Sequence, residues 1–331
     1  MALNRRSVAG LVPASALALL LPRMAQAQPA AGAGWQPSRP IKLVISGGPG
    51  SGSDVTGRLV AAQLSTALNQ AIVTENQAGA GGVMASDITA RSAPDGLTWT
   101  LLSSAAATQA AIMKTLPFDP VKSFSWISTL AVYPIVLSVA ADSPIKDFAD
   151  LIRRAKAAPG KMTFSSVGTG SAYHFVGEWL SGESGAEFLH VPFRSGAGPL
   201  VEVLSGRVDV MIDSAAATVT QVRGGKLRAI AVSSPARSEQ FPGVPSLSEF
   251  YPDLQYESWL ALVCAARTPP DIVGRLSAEL KTILEDPKMK ARLQELGQRA
   301  TWSTPEETRA RMENNIERFK RIVVSRNIER Q

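Results

Sequence analysis

The sequence has a single cysteine and only two histidines, and each scarcity excludes a class of protein. Cys264 has no partner for an internal disulfide, so the fold does not depend on cross-links. It lies in an apolar run, where we expect a buried and unreactive thiol. His174 and His190, with one distant cysteine, do not have the spacing of a zinc site. We therefore expect neither a metal nor a cofactor.

Catalytic and nucleic-acid-binding signatures are also missing. The sequence contains neither a Gly-x-Ser-x-Gly nucleophile elbow nor a Walker phosphate-binding loop. A hydrolase that uses Ser171 and His174 is conceivable, but this pair has no evident acid to orient the histidine. No run of lysine and arginine with interleaved aromatic residues occurs, so we expect no nucleic-acid partner. An enzyme is therefore the least favoured interpretation.

The first residues have the composition of an export signal. Arg5 and Arg6 precede a short apolar run, and Ala25-Gln-Ala27 matches a signal peptidase site. The run is too short to span a membrane, and no later run reaches about 20 apolar residues. We predict a cleavable signal peptide at 1–27 and a periplasmic protein. The Arg-Arg pair leaves both Sec and Tat export open.

Two stretches rich in glycine and hydroxyl side chains each follow an apolar strand and precede a helix. They are Ser-Gly-Gly-Pro-Gly-Ser-Gly-Ser-Asp at 46–54 and Thr-Phe-Ser-Ser-Val-Gly-Thr-Gly-Ser at 163–171. Glycines let the backbone approach a ligand closely, and a helix start adds free N–H groups and a positive dipole end. Each stretch therefore predicts a site for an anion such as a carboxylate or phosphate. We expect the two to face each other across a cleft and hold a small dianion.

Strand and helix patterns alternate along the chain in two series. Such alternation predicts a largely parallel α/β sheet covered on both faces, with ligand-binding loops at the carboxyl ends of the strands. The predicted strands are 41–46, 71–75, 98–103, one around Trp126, 134–140, 162–166, 187–193, 208–213, 227–233 and 256–265. The predicted helices are 54–68, 82–92, 147–157, 171–181, 198–204, 216–223, 271–285 and one that begins after Thr304.

The last helix has the clearest local signal. Thr304 is a predicted N-cap, proline follows at the first helical position, and Glu307 completes a capping box. Apolar residues then recur at helical spacing, and we expect them to pack against one lobe. They are Met312, Ile316, Phe319 and Val323.

Ten short motifs follow one another along the chain. They are Trp35 with Pro40-Ile-Lys-Leu-Val, Pro49-Gly-Ser-Gly-Ser-Asp54 with Arg58, Glu75-Asn76 with Gly79-Ala-Gly-Gly82, Pro94-Asp-Gly96, Pro159-Gly-Lys161, Gly168-Thr-Gly-Ser171 with His174, His190-Val-Pro-Phe193, Gly206-Arg-Val-Asp209, Gly225-Lys-Leu-Arg-Ala-Ile-Ala-Val232, and Pro242-Gly-Val-Pro-Ser-Leu-Ser-Glu249. In this order they resemble the Bug family, the extracytoplasmic solute receptors of tripartite tricarboxylate transporters, over nearly all of 35–325.

The resemblance implies a periplasmic-binding-protein-like α/β fold of type II, a Venus flytrap with two lobes joined by two hinge strands. Lobe 1 is placed at 28–130 plus 231–331 and lobe 2 at 131–230. It also implies a monomer that captures a small carboxylate, either a di- or tricarboxylate or an aromatic acid, for the membrane subunits of a tripartite transporter. A periplasmic sensor that feeds a two-component signalling system would use the same fold, and this alternative stays open.

The resemblance, carried over by position, places eight ligand-binding residues in the two glycine-rich stretches, and Gly48, Ser104, His174 and Asp213 complete the candidate set. The set is Gly48, Ser51, Gly52, Ser53, Asp54, Ser104, Ser166, Thr169, Gly170, Ser171, His174 and Asp213.

Three of these candidates have competing roles. Asp54 is better explained as a helix cap, because its carboxylate would repel an anionic ligand. His174 could donate to the ligand or cap the rim of the cleft. Asp213 could contact a ligand hydroxyl or cap the next helix, and the cap is favoured. Outside the set, His190 is expected to be structural and Arg194 to be solvated.

Overall fold

The computed structural model describes residues 35–77, 80–193 and 197–331. The predicted signal peptide at 1–27 and Arg194 lie outside the described residues. The strands are β1 (Ile41–Ile45), β2 (Ile72–Asn76), β3 (Thr98–Ser103), β4 (Phe124–Ala140), β5 (Met162–Ser166), β6 (Phe188–Pro192), β7 (Val210–Ser214), β8 (Leu227–Val232), β9 (Glu257–Ala265) and β10 (Arg299–Ala300). The helices are α1 (Gly52–Ala67), α2 (Val83–Ala90), α3 (Ala105–Ile112), α4 (Phe148–Ala157), α5 (Ala172–Ser184), α6 (Ala197–Leu204), α7 (Ala215–Arg223), α8 (Pro270–Glu285), α9 (Pro287–Glu295) and α10 (Pro305–Ser325).

The strands form two groups that share the long strand β4. In the first group β1 pairs in parallel with β2 and β3, and β9 lies antiparallel between β3 and β4. In the second group β5 pairs in parallel with β6 and β7, whereas β7 and β8 are antiparallel to β4. The largely parallel sheet that we predicted is therefore wrong. The sheet is mixed, because β4 and β9 run against their neighbours.

Strand β4 is continuous over 17 residues, although the sequence predicted separate strands around Trp126 and from 134 onward. Its pairing with β9 ends at Pro134, opposite Glu257, and its pairing with β7 begins at Ile135. Proline has no N–H to donate to a ladder, and here it stands where the ladder changes partner. The same strand can therefore belong to both groups.

Helices α3 and α9 and the short strand β10 are further additions to the predicted elements. Helix α10 confirms its predicted capping box, because Thr304 Oγ1 accepts the Glu307 N–H and the Glu307 carboxylate accepts the Thr304 N–H. Its apolar stripe is buried, but it does not contact one group alone. Phe319 packs against Tyr256, just before β9, and against Phe175 of α5 in the second group.

Most of the buried residues that the structure describes are apolar, and the one thiol lies among them. Cys264 is fully buried in β9, as predicted, and burial raises the pKa of its thiol to about 11.

Among the described helices, none has the combination of length and apolar character that a membrane crossing requires.

Candidate functional site

A cavity of about 470 Å³ lies where five helices begin, namely α1, α2, α3, α5 and α7. A helix start leaves backbone N–H groups without an intrahelical acceptor and carries the positive end of the helix dipole. The backbone alone therefore makes this cavity attractive to an anion. Its lining at the helix starts consists of Ser51, Gly52 and Ser53 at α1, Gly81 and Gly82 at α2, Ser104 and Ala105 at α3, Ser171, Ala172 and Tyr173 at α5, and Ser214 and Ala216 at α7.

None of the described residues that line this cavity carries a charge. Its polar side chains are hydroxyls and amides, which can hold a carboxylate together with helix N–H groups and without a buried cation. The further lining residues are Ser46, Gly47, Ser103, Gln109, Tyr133, Val167, Thr169, Ser258, Leu260 and Gln298. The lining is therefore suited to a small ligand with several oxygen acceptors.

The first glycine-rich stretch presents its hydroxyls to the cavity. Ser51 caps α1 by accepting the Asp54 N–H at 3.3 Å, and its Oγ lies 3.1 Å from the Ser53 Oγ. A Cβ on Gly47 would lie 2.2 Å from the Ser53 Oγ, so this arrangement requires glycine at position 47. Gly48 belongs to the same stretch but lies outside the lining.

Asp54 lies outside the cavity lining and stabilises the loop through hydrogen bonds. The predicted cap at Asp54 is wrong, because α1 begins at Gly52 and its cap is Ser51. The Asp54 carboxylate instead accepts hydrogen bonds from Gly50 N–H, Asn76 Nδ2 and Arg58 Nε at 2.8 to 2.9 Å. Burial raises the pKa of Asp54, but these three bonds outweigh that effect and keep the pKa below its ordinary value. The carboxylate is therefore ionised and fully used within the protein.

The second stretch divides its hydroxyls in the same way. Thr169 and Ser171 line the cavity, and Ser171 caps α5 by accepting the His174 N–H at 3.3 Å. Ser166 is fully buried outside the lining; its Oγ accepts the Gly168 N–H and lies 2.7 Å from His190 Nε2. Ser166 therefore shapes the loop rather than facing the cavity.

The two histidines stack behind this loop with their ring centroids 4.1 Å apart. His174 Nδ1 accepts the Gly170 N–H at 3.2 Å, and its Nε2 lies 3.7 Å from the Glu178 carboxylate. Burial lowers the pKa of His174 to about 3, with His190 adding to the effect, and burial lowers the pKa of His190 to about 4. Neither His174 nor Gly170 lines the cavity. Ser171 Oγ accepts the backbone N–H of His174, and the ring nitrogen Nδ1 of His174 accepts from Gly170. Ser171 and His174 therefore show no hydrogen bond between hydroxyl and imidazole, which a nucleophile and its base would need.

Asp213 is 5% exposed and precedes the lining residue Ser214. Its Oδ1 accepts the Ser214 N–H at 2.6 Å, but the cap of α7 is Ser214 itself, whose Oγ accepts the Ala217 N–H. The predicted capping role of Asp213 is therefore wrong. Burial raises its pKa to about 6. The pKa values of the lining residues Tyr133 and Tyr173 are also raised, by burial and by neighbours that include Asp213.

Several lining residues are absent from the predicted set, because that set was based on small residues between a strand and a helix. Tyr133 and Ser258 lie inside strands, and Gln298 lies in a turn before β10, so no local motif marks them. Tyr173 could have been found, because it is the second residue of α5 after the predicted Ser171. The missed polar residues are Ser46, Ser103, Gln109, Tyr133, Tyr173, Ser214, Ser258 and Gln298.

Comparison with known proteins gives one family for most of the chain. The family model for the tripartite tricarboxylate transporter family receptor matches residues 56–328. Protein BugT of Bordetella pertussis is 31% identical over 290 residues, which cover 87% of this chain and 89% of BugT.

Two similar solved structures contain bound acids. An R. palustris protein solved with adipate has a TM-score of 0.80 and 27% identity, covering 89% of this chain and 99% of that one. MatC from Rhodopseudomonas palustris, with bound malate, has a TM-score of 0.75 and 26% identity, covering 87% and 99%. The predicted periplasmic-binding-protein type of α/β fold is confirmed.

Proposed function

The chain belongs to the receptor family of the tripartite tricarboxylate transporters, and from this membership we propose that it captures a small carboxylate and delivers it to the membrane subunits of such a transporter. The family consists of periplasmic solute-binding receptors, so the protein is a binding protein and not an enzyme. The predicted relation to the Bug family is confirmed.

The observation that carries the proposed ligand class is the convergence of five helix starts on a cavity whose described lining residues are all uncharged. One helix start stabilises an anion by about 0.3–1 kcal/mol at an exposed site and by up to about 2 kcal/mol in a partly buried one. Several together can replace a buried cation. A cationic ligand would meet the same field as repulsion, and an apolar ligand would leave the free N–H groups unpaired.

The proposed ligand is a small dicarboxylate or a related acid. The cavity volume lies within the range of about 300–1,000 Å³ that is usual for small-molecule sites. Its lining glycines have no side chain and its serine and threonine side chains are short, which leaves room for bridging water molecules. The adipate and malate bound by two similar proteins belong to this class.

We propose the predicted lobes as the moving parts. Lobe 1 carries the starts of α1, α2 and α3, lobe 2 carries those of α5 and α7, and the ligand favours the closed form because only that form contacts both sets. The composition of residues 1–27 supports export by a cleavable signal, through either Sec or Tat. We further propose that the receptor acts as a monomer.

A screen of the purified mature protein against adipate, malate, citrate and benzoate tests this function. An acid that binds only the folded state raises the melting temperature, by several degrees when present at about 100 times its Kd. Small-angle X-ray scattering with that acid should then show a smaller radius of gyration, as closure requires. Failure of all four acids to shift the melting temperature would contradict the ligand class. An unchanged radius would contradict closure.

A further inference from the structure

Gln298 is a buried amide that uses only part of its hydrogen-bonding capacity. The residue is 4% exposed and lies in the turn between α9 and β10. Its Oε1 accepts a hydrogen bond from the Thr56 hydroxyl at 2.8 Å. Within the described part of the chain, the Thr56 bond is the one side-chain hydrogen bond of Gln298, and no residue accepts a hydrogen bond from Nε2. Gln298 lines the cavity, so this N–H group, which has no partner among the described residues, is available to a ligand there.

The free end of this amide lies beside the first glycine-rich stretch. Gln298 lines the cavity, and a Cβ on Gly52 would lie 3.4 Å from Nε2. Gly52 and Thr56 are four residues apart on α1 and share one face of the helix. The bond to Thr56 therefore fixes the amide plane while Nε2 stays next to the start of α1, where the free backbone N–H groups lie.

The turn that carries Gln298 also contacts α7, the helix that follows β7 of the second strand group. Gly297 has a φ of +75°, and a Cβ there would lie 2.7 Å from the backbone nitrogen of Ala216 in α7. Glycine at this position lets the turn lie directly against the first turn of α7. Gln298 is thus held at a point where elements of both strand groups meet the cavity.

We propose that Gln298 is a ligand-contact residue that donates its Nε2–H to a carboxylate oxygen of the bound acid, beside the start of α1. This inference rests on the proposed function, because it takes the ligand to be an acid. It adds a side-chain donor that neither glycine-rich stretch supplies. A ligand without an acceptor at this position would leave the donor unpaired and would bind less tightly.

The test is isothermal titration calorimetry with whichever of adipate, malate, citrate and benzoate binds the wild-type protein most tightly. Gln298→Met keeps the size of the side chain but removes the donor, and we expect about 10- to 100-fold weaker binding. Gln298→Glu places a negative charge at the same point and should weaken binding further. Gln294→Glu is the matched control, because it makes the same charge change on an exposed residue outside the cavity and should stay within about twofold of wild type.

The melting temperature of each variant shows whether it is folded, and Gln298→Asn, which shortens the amide, replaces any variant that is not. Wild-type affinity in Gln298→Met would overturn the inference, as would tighter binding by Gln298→Glu, which would mean that a ligand donor faces Oε1. A loss in Gln294→Glu as large as that in Gln298→Met would show that binding responds equally to a change outside the cavity, and it would also overturn the inference. If the wild-type protein binds none of the four acids, the proposed function itself fails and this inference fails with it.

Discussion

At the scale of single residues, the polar groups of the site divide into those that face the cavity and those that hold its loops. Ser51 and Ser171 face it, whereas Asp54 and Ser166 are used in hydrogen bonds behind it. The sequence located both stretches, because glycine, serine and a helix start leave a local pattern. It did not show which residue of a stretch turns inward, since that depends on partners such as Asn76, which is distant in the sequence.

Asp213 predicts a pH dependence of stability. Burial raises its pKa from 3.8 to about 6, so the folded protein favours the neutral carboxyl and loses stability as the pH rises from about 4 to about 6. The difference of about two pKa units corresponds to a loss of about 3 kcal/mol in the free energy of unfolding. This loss is absent below pH 4 and complete above pH 6. Asp213→Asn removes the ionisable group but keeps an acceptor for the Ser214 N–H. We therefore expect this variant to be more stable than wild type at pH 8, by up to about 3 kcal/mol, and about equal at pH 4.

Urea unfolding of both proteins at the two pH values measures this difference. Asp142→Asn, at an exposed position, is the control and should be close to wild type at both. A stability difference between Asp213→Asn and wild type that is the same at pH 4 and pH 8 would contradict the assignment of a buried carboxyl with a raised pKa.

At the scale of helices and strands, the sequence predicts an element well where its ends carry local signals. The capping box of α10 and the strand Met162–Ser166 are as predicted. Helix α3 was missed because Ala105–Ile112 is alanine-rich and has little polar–apolar alternation. Strand β4 was predicted as two strands because Pro134 is an ordinary strand breaker, and only the change of pairing partner explains why it is tolerated.

The turn before β10 gives a prediction at this scale. In Gly297→Ala the new Cβ meets the α7 backbone, and the left-handed φ is unfavourable for alanine, so we expect a loss of about 1–3 kcal/mol in the free energy of unfolding. Binding of acids should weaken as well, because Gln298 moves with the turn. Gly274→Ala is the matched control. It lies in α8 with nothing near its Cβ and should gain about 0.5–1 kcal/mol.

Urea unfolding of the two glycine variants gives the stabilities, and calorimetry gives the affinities. Full stability in Gly297→Ala would show that the turn moves freely away from α7, and the tight contact between them would then have no structural role.

At the scale of the whole molecule, the fold depends on pairings that no local pattern specifies. Strand β4 belongs to both strand groups. Strand β9 follows the second group in the sequence but pairs with the first half of β4, in the first group. The sequence predicted two series of strands and helices, but the return of the chain came from the family resemblance alone. The proposed lobe boundaries therefore rest on that resemblance, supported by the change of partner at Pro134 and by the end of β8 at Val232.

We propose that helix starts and neutral donors select a carboxylate, with no cationic side chain among the lining residues that the structure describes. The most direct measurement is calorimetry of the mature protein with its best-bound acid and with the corresponding uncharged amide, repeated on Gly52→Asp. We predict that the amide binds at least about 100-fold more weakly than the acid, and that the new carboxylate at the start of α1 abolishes acid binding. Equal affinity for the acid and its amide, or undiminished acid binding by folded Gly52→Asp, would contradict the claim.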